Sequence, residues 1–275
     1  MTGVLFLVGT PIGNLEDLSP RARATLDAVD LVVAEDTRRT GRLLTSLGIR
    51  APLLSMFEGN EGRRAGEVVE RLEAGADVAV VTDGGMPLVS DPGYRVVTLA
   101  IERGLTVRAI PGPSAAVAAL VVSGLPTDRF SFEGFLPRRR GERSARLTAL
   151  RDDPRTLVMF ESPRRVATLL QEVVSSLGDR RVALCRELTK LHEEVIRGIA
   201  TDVLSGIGER QLRGEVVLVV EGRRGSADID RAALVEDVRR LIADGMHPRE
   251  AARTVAERHG ASANELYRAT IGEDR

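Results

Sequence analysis

A single cysteine, Cys185, serves a chain of 275 residues. It cannot close an internal disulfide or build a cysteine-based zinc cluster. Only three histidines are present, too few to favour a structural zinc site. No apolar run reaches the roughly 18–20 residues of a membrane span. The opening Met1-Thr-Gly-Val-Leu-Phe-Leu-Val-Gly9 lacks a basic n-region and a cleavage pattern, and reads as a first β-strand rather than a signal peptide. A bacterial-type cytoplasmic protein is expected, with no protein-bound metal and no membrane partner. There is no G-x-x-x-x-G-K-[ST], no G-x-G-x-x-G after a strand, no G-x-S-x-G and no H-E-x-x-H. P-loop nucleotidases, Rossmann dinucleotide or methyltransferase sites, serine hydrolases of that type and metalloproteases drop out. Lysine is also nearly absent: of 39 basic residues only Lys190 is lysine, which leaves 38 arginines. A GC-rich genome favours arginine codons. Arginine replaces lysine on most surfaces, but not where a compact or deprotonatable amine is needed. That singles out Lys190.

What is present is ordinary for a soluble globular protein: 43% hydrophobic and 29% charged residues. The length suggests about two domains. Short apolar runs at 4–8, 31–34, 53–56, 78–82 and 107–110 predict strands. Helical spacing falls between them at 22–29, 40–47, 61–72 and 94–102. Continuous apolar strands with intervening helices imply a largely parallel sheet covered on both faces. Pro111-Gly112-Pro113 punctuates the chain. A second α/β unit follows, with a helix at 114–123, strands at 129–135, 157–160, 182–186, 193–197 and 216–221, and a helix at 164–177. The two strands 182–186 and 193–197 are close enough for a hairpin, so more antiparallel pairing is expected. Gly222-Arg-Arg-Gly-Ser-Ala-Asp228 reads as a polar linker. Beyond it, 231–243, 248–259 and 263–270 read as helices, with Gly245 and Gly260 at C-cap positions and Pro248 in a first turn. The expected domains are 1–112, 113–225 and a helix-turn-helix-like tail, 226–275.

Glycine- and proline-rich segments cluster at strand ends. Gly9-Thr-Pro-Ile-Gly-Asn-Leu15 follows the first strand, Thr82-Asp-Gly-Gly-Met-Pro-Leu-Val-Ser-Asp-Pro-Gly93 a central one, and Ile110-Pro-Gly-Pro-Ser-Ala115 the next. Each alone would serve as a tight turn. Three at successive strand ends point to a ligand crevice beyond the carboxyl ends of the strands. Net charge is −1, so any nucleic-acid surface must be local. Residues 129–165 carry ten arginines against five acidic residues, net +5. Arg138, Arg139, Arg140, Arg143 and Arg146 fall within ten residues, and guanidinium groups suit phosphate. A solvated helix face is the competing reading. Phe130, Phe132 and Phe135 precede the run, as base-stacking platforms or as core. The tail from 228 to 275 has eight arginines and ten acidic residues, which speaks against sequence-specific DNA binding. Glu35 and Asp36, beside Arg38 and Arg39, would point to opposite faces of a strand and so make no paired acid and base. They read as a salt-bridged element of a cleft or substrate loop.

These segments occur in a recognisable order: Gly9–Asp17, Ala34-Glu-Asp-Thr-Arg38, Asp83–Gly93, Pro111-Gly-Pro-Ser-Ala115, Gly124-Leu-Pro126, Phe132-Glu-Gly-Phe-Leu-Pro137, Glu161-Ser-Pro-Arg-Arg165, Arg186-Glu-Leu-Thr-Lys190 and Gly214-Glu-Val-Val-Leu218. The ordered set, from about Val4 to Ile271, resembles the small-subunit ribosomal RNA methyltransferase I family. That family has the wider tetrapyrrole-methylase (class III methyltransferase) fold. The resemblance implies two α/β domains with a helical appendage and a homodimer. It implies S-adenosylmethionine as methyl donor, bound between the domains, and the 2′-hydroxyl of a decoding-centre cytidine in 16S rRNA as acceptor. One loop departs from the family pattern Ser-Asp-Ala-Gly-Thr-Pro, reading Thr82-Asp-Gly-Gly-Met-Pro87 here. Met86 removes a hydroxyl, so donor contacts from that position are expected through backbone.

Site expectations follow from this resemblance. Asp83 is assigned to donor binding, with turn capping as the alternative. Gly84, Gly85, Met86 and Pro87 would line the same pocket, together with Thr10 and Gly112 from the neighbouring loops. Ser114 and Ala115 start a helix whose amides would meet a polar end of the donor, unless Ser114 only caps the helix. Phe160, Glu161, Glu187 and Glu215 would form the opposite wall, on the strength of the fold resemblance. A general base would help a poorly nucleophilic hydroxyl by about 10²–10⁴-fold. Lys190 is the first candidate: desolvated beside a sulfonium its pKa would fall. It would then take the 2′ proton, or as a cation hold the adjacent phosphate. Glu187 is the second candidate. A tetrapyrrole or protein side-chain methyltransferase of the same fold is the alternative enzyme. A helix-turn-helix regulator that senses a metabolite is the alternative from another class.

Overall fold

The apolar runs become two five-stranded sheets in a computed structural model that describes residues 1–208, 210, 212–223, 231–259 and 261–272. The first unit alternates strictly: β1 (Val4–Val8), α1 (Pro20–Ala28), β2 (Leu31–Ala34), α2 (Thr37–Ser46), β3 (Leu53–Ser55), α3 (Glu61–Glu73), β4 (Val78–Val81), α4 (Tyr94–Glu102) and β5 (Thr106–Ile110). Its sheet order is β3-β2-β4-β1-β5. Every pairing is parallel. Alternation along the strands explains why β4 is apolar throughout. Val78 and Val80 meet Val68, Val69 and Leu72 of α3 and Val96 of α4 in one core. Ala79 and Val81 meet Leu26 of α1 and Leu44 of α2 in the other. After β1 the chain turns to the α1/α2 face, and after β4 it turns to the α3/α4 face. The adjacent ends of β1 and β4 are therefore the switch point where an open α/β sheet leaves a crevice.

The second unit comprises α5 (Ala115–Ser123), β6 (Phe130–Phe135), α6 (Arg140–Ala149), β7 (Thr156–Glu161), α7 (Val166–Leu177), β8 (Arg181–Arg186), β9 (Glu194–Ile199), α8 (Ala200–Ile207) and β10 (Val216–Val220). The order is β6-β7-β10-β8-β9. Only β6 and β7 pair in parallel; β7, β10, β8 and β9 run antiparallel, and β8 and β9 form the expected hairpin. Leu147 of α6, Leu169 and Leu170 of α7 and Val203 of α8 cover one face. Ala116, Ala119 and Leu120 of α5 cover the other, with Ile12 from the first unit packed against the same cluster. Ile12 is partly buried there, and its packing links the two units across their junction.

The tail folds as α9 (Arg231–Ala243), α10 (Pro248–His259) and α11 (Ala263–Gly272). Leu234, Val238, Val255 and Leu266 make a core of their own. The turn after α9 closes as predicted: Gly245 has φ +95°. Its amide and that of Met246 donate to Ile242 and Leu241 carbonyls. Gly260 and the linker beyond Arg223 lie outside the described residues. Among the described residues no helix is long and apolar enough to cross a membrane.

Candidate active site

Two loops of the first unit cross at the switch point. The Thr10 amide donates to the Gly85 carbonyl at 2.9 Å and the Gly85 amide donates back to Thr10 at 3.0 Å. Gly9 and Gly112 allow this crowding: a Cβ on Gly112 would lie 2.7 Å from the Gly9 Cα. Opposite stand the ends of β7, β8 and β10. Between them is a cavity of about 440 Å³, lined among others by Ile12, Asp83, Gly85, Met86, Asp91, Ser114, Phe160, Cys185, Lys190 and Glu215. Its size and mixed lining suit a small-molecule site.

Most expected donor residues reach this cavity: Asp83, Gly84, Gly85, Met86, Ser114, Ala115, Phe160, Glu161 and Glu215 all line it. Four do not, and each has a physical reason. Glu187 turns its carboxylate to Lys190 Nζ and the Glu215 amide instead. The Thr10 hydroxyl turns away to donate to the Thr82 carbonyl. Pro87 is buried behind the loop. Gly112 is packed against Gly9. Ser114 is the N-cap of α5 as well as a wall residue, its hydroxyl accepting from the Val117 amide. Glu161 is 3% exposed, and its carboxylate accepts from the Ser162 amide and from Arg165.

The expectation of a deprotonatable Lys190 is overturned. Its Nζ lies 2.8 Å from Glu187 Oε1 and 3.1 Å from Glu215 Oε2. Partial burial works against the charge, but the bond to Glu187 and the bond and charge of Glu215 outweigh it. The ammonium is held above the ordinary lysine value. Burial likewise works against the charge of Glu187, yet Lys190 and the Glu215 amide hold its carboxyl below the usual value. Neither group is a free base. The Lys190 stem crosses to the first unit, where a Cβ on Gly13 would lie 2.4 Å from its Cγ. Glu187 (φ +52°) and Thr189 (φ +67°) hold the turn in the left-handed region, and Leu88 and Ser90 do the same opposite. Such outliers gather where surrounding structure over-determines a site.

Asp91 was not singled out by the sequence, although it lies within the quoted loop. Burial, with the Asp83 carboxylate nearby, pushes its carboxyl up to about 6. Burial and the charges of Asp91 and Asp83 raise Glu35 too. Asp83 gives one oxygen to Arg39 Nη1 at 2.7 Å, while its Oδ1 is buried with no hydrogen-bond partner. That orphaned acceptor points to a donor group on a ligand. Glu35 stands near Asp83 and Asp91, while Asp36 caps α2 and binds Arg38. The two carboxylates diverge as expected, but in the bend between β2 and α2 rather than along a strand.

The arginine run is divided as well. Arg143 is corrected from a phosphate contact to a buried structural cation. It is 8% exposed and forms two bonds to Glu172, of 2.5 and 2.7 Å. It also donates to the Pro137 and Arg138 carbonyls, which pins the loop before α6. Arg146 pairs with Glu133 and Arg139 with Glu142. Arg138 and Arg140 are exposed. Phe132 and Phe135 both pack edge-on against Phe160, and Phe135 reaches the cavity.

The fold and its cleft define a class. The sequence pattern of the tetrapyrrole (corrin/porphyrin) methylases matches residues 4–204, and the chain belongs to that family. Its members take the methyl group from S-adenosylmethionine, so this protein is a methyltransferase with that donor. Within the class it belongs to the ribosomal RNA small subunit methyltransferase I family. A protein of that name from Xylella fastidiosa is 44% identical over 270 residues, 96% of this chain and 98% of that one. One from Mycobacterium tuberculosis is 42% identical over 278 residues, 100% of this chain and 96% of that one. Among solved structures, the uroporphyrin-III-C-methyltransferase of Thermus thermophilus is similar with a TM-score of 0.54 at 25% identity, over 80% of this chain and 94% of that one. A diphthine synthase is similar with a TM-score of 0.59 at 16% identity, over 80% and 90% of the two chains, which shows the fold alone.

The cleft fits the donor. The buried, unpartnered Asp83 oxygen suits a ribose hydroxyl or an ammonium. The Gly84–Gly85 backbone allows close approach. Ile12, Phe160, Leu188 and Val217 supply apolar walls. Asp91 and Glu215 add negative charge suited to a cationic ligand.

Proposed function

We propose that this protein methylates the 2′-hydroxyl of a decoding-centre cytidine in 16S rRNA of the small ribosomal subunit. The observation that carries this reading is identity above 40% to proteins of that name over essentially the whole chain, tail included. The exposed Arg138 and Arg140, a few residues beyond Phe135 of the cleft wall, supply phosphate contacts consistent with it. When bound, the donor supplies an electrophilic methyl on a sulfonium. The chain's own residues hold it: Asp83 with the Gly84–Met86 backbone on one side, Ser114 and Ala115 at the α5 N-terminus, and Phe160, Glu161 and Glu215 opposite. Their task is to keep the acceptor oxygen collinear with the methyl–sulfur bond, with reacting atoms roughly 3–3.5 Å apart. Lys190 acts as a fixed cation that orients the far wall through Glu187 and Glu215. Of the cleft carboxyls, Asp91 is the one shifted to about 6, where a proton acceptor serves best near neutral pH. A homodimer working in the cytoplasm completes the reading.

The test is methyl transfer from labelled S-adenosylmethionine to small subunits purified from cells lacking this protein, with the modified nucleotide mapped. Label on the ribose of one decoding-centre cytidine is the expected result. Label on a ribosomal protein, or none on subunits or free 16S rRNA, would move the acceptor to another molecule.

A further inference from the structure

A second groove opens beside the donor cleft. It measures about 380 Å³ and shares Pro11, Gly13, Arg39 and Asp83 with the larger cavity. The Arg39–Asp83 ion pair is the partition between them. The groove's own wall is α2, which presents Arg39, Arg42, Leu43 and Ser46 along one face, with Leu15 opposite. Helix α2 carries Arg38, Arg39 and Arg42 and no acidic residue. Arg38 is held by Asp36 and Arg39 by Asp83. Arg42 is exposed, and has no hydrogen-bond or ion-pair partner among the described residues. Leu15 is 55% exposed, an apolar shelf beside that free guanidinium.

The donor cleft itself repels an anion. Asp83, Asp91, Glu161 and Glu215 line it against Arg39 and the fully paired Lys190. A polyanionic acceptor that brings a hydroxyl to the methyl group must therefore rest its phosphates elsewhere, within one nucleotide of the cleft. The α2 groove is the adjoining surface with the right sign and a comparable size.

We propose that the α2 groove seats the ribose–phosphate of the acceptor strand next to the target nucleotide, with Arg42 pairing a phosphate and Leu15 and Leu43 covering the sugar or base. The inference rests on RNA being the acceptor. It adds a second strand contact, on the first unit, to the arginine loop on the second.

The experiment compares wild type with Arg42→Glu and Arg42→Lys on small subunits across a salt series, alongside S-adenosylmethionine affinity and thermal melting. Arg42→Glu is expected to raise KM for subunits about tenfold, with donor affinity and melting unchanged. Its dependence of log(kcat/KM) on log salt should be shallower by about 0.7–1, the loss of one phosphate contact. Arg42→Lys should restore most of the slope. Wild-type methylation of rRNA with unchanged KM and slope in Arg42→Glu would overturn the groove and leave the RNA reading intact. Absence of rRNA methylation by the wild type would overturn both.

Discussion

Lys190 sits where two carboxylates converge, and its role is legible in what its removal would leave. In Lys190→Met, Glu187 and Glu215 would face each other without the cation that bonds both. The folded-state pKa of Glu187 lies below its ordinary 4.5, so its contribution is present above that value and lost as pH falls through the lowered one. Lys190→Met should therefore lose about 1–2 kcal/mol at pH 7, and the deficit should shrink below about pH 4 as the carboxyls protonate. Urea unfolding at the two pH values checks this; a pH-independent deficit would mean that packing against Gly13 matters more than charge. Asp91 carries the opposite sign. Its carboxyl rises from 3.8 to about 6, so the folded state binds the extra proton and stability falls as pH rises through that window. Asp91→Asn should match the wild type near pH 4 and exceed it at pH 8 by about 1–3 kcal/mol, with methyl transfer reduced. Equal melting curves at pH 8 would show that burial does not raise the Asp91 carboxyl. Glycine-rich strand ends are local signals and made Asp83 to Met86, Ser114 and Ala115 legible as cleft residues, whereas Phe160, Glu161 and Glu215 came from the family resemblance alone. Asp91 and the charge state of Lys190 were not. They depend on burial, on Asp83 beside Asp91, and on Glu187 and Glu215 beside Lys190, which the fold brings together.

Helix α6 shows how one run of like charges divides once it folds. Leu147 is buried, and the same turn faces bring Arg143 inward to Glu172 on α7 while Arg140 stays in water. Arg143→Met removes a partner from a buried, two-bond ion pair and frees the carbonyls of Pro137 and Arg138. A loss of about 3–5 kcal/mol is expected, recovered in part by the double change Arg143→Met with Glu172→Met. Arg138→Ala and Arg140→Ala should stay within about 0.5 kcal/mol while weakening binding to subunits. Chemical denaturation separates the two groups; equal stability losses would return Arg143 to the surface. The sequence read this stretch as charge, since apolar periodicity over Arg140–Ala149 is sparse. It missed α8 for a similar reason: Ala200–Ile207 is short and carries Gly206. The tail helices were found almost to the residue, because Pro248 and Gly245 mark their ends. Strand order was not legible. Insertion of β4 between β2 and β1 is decided by pairings some 70 residues apart, such as Leu7 with Val80.

Helix α5 joins the units, and its sequence, Ala115-Ala-Val-Ala-Ala-Leu-Val-Val-Ser123, is apolar on every side. Ala116, Ala119 and Leu120 are buried against the second sheet, but Val117 is 49% and Val121 65% exposed. A helix that is apolar all round belongs in a buried environment. The second sheet covers only half of this one. A homodimer that buries the outer face of α5 satisfies that requirement. A stable dimer buries roughly 800 Å² per partner, more than α5 alone offers, so both units must contribute. Because α5 begins at Ser114 and Ala115 in the donor cleft, its position and the cleft's geometry are coupled. In the proposed homodimer, Val121→Arg should then favour the monomer in sedimentation, and weaken S-adenosylmethionine binding in parallel. Val117→Arg, one turn nearer the cleft, should do the same more severely. A variant that stays dimeric, or a wild type that sediments as a monomer at micromolar concentration, would overturn this interface and leave the outer face of α5 open to the ribosomal subunit. The discriminating readout in that case is KM for subunits with donor affinity unchanged.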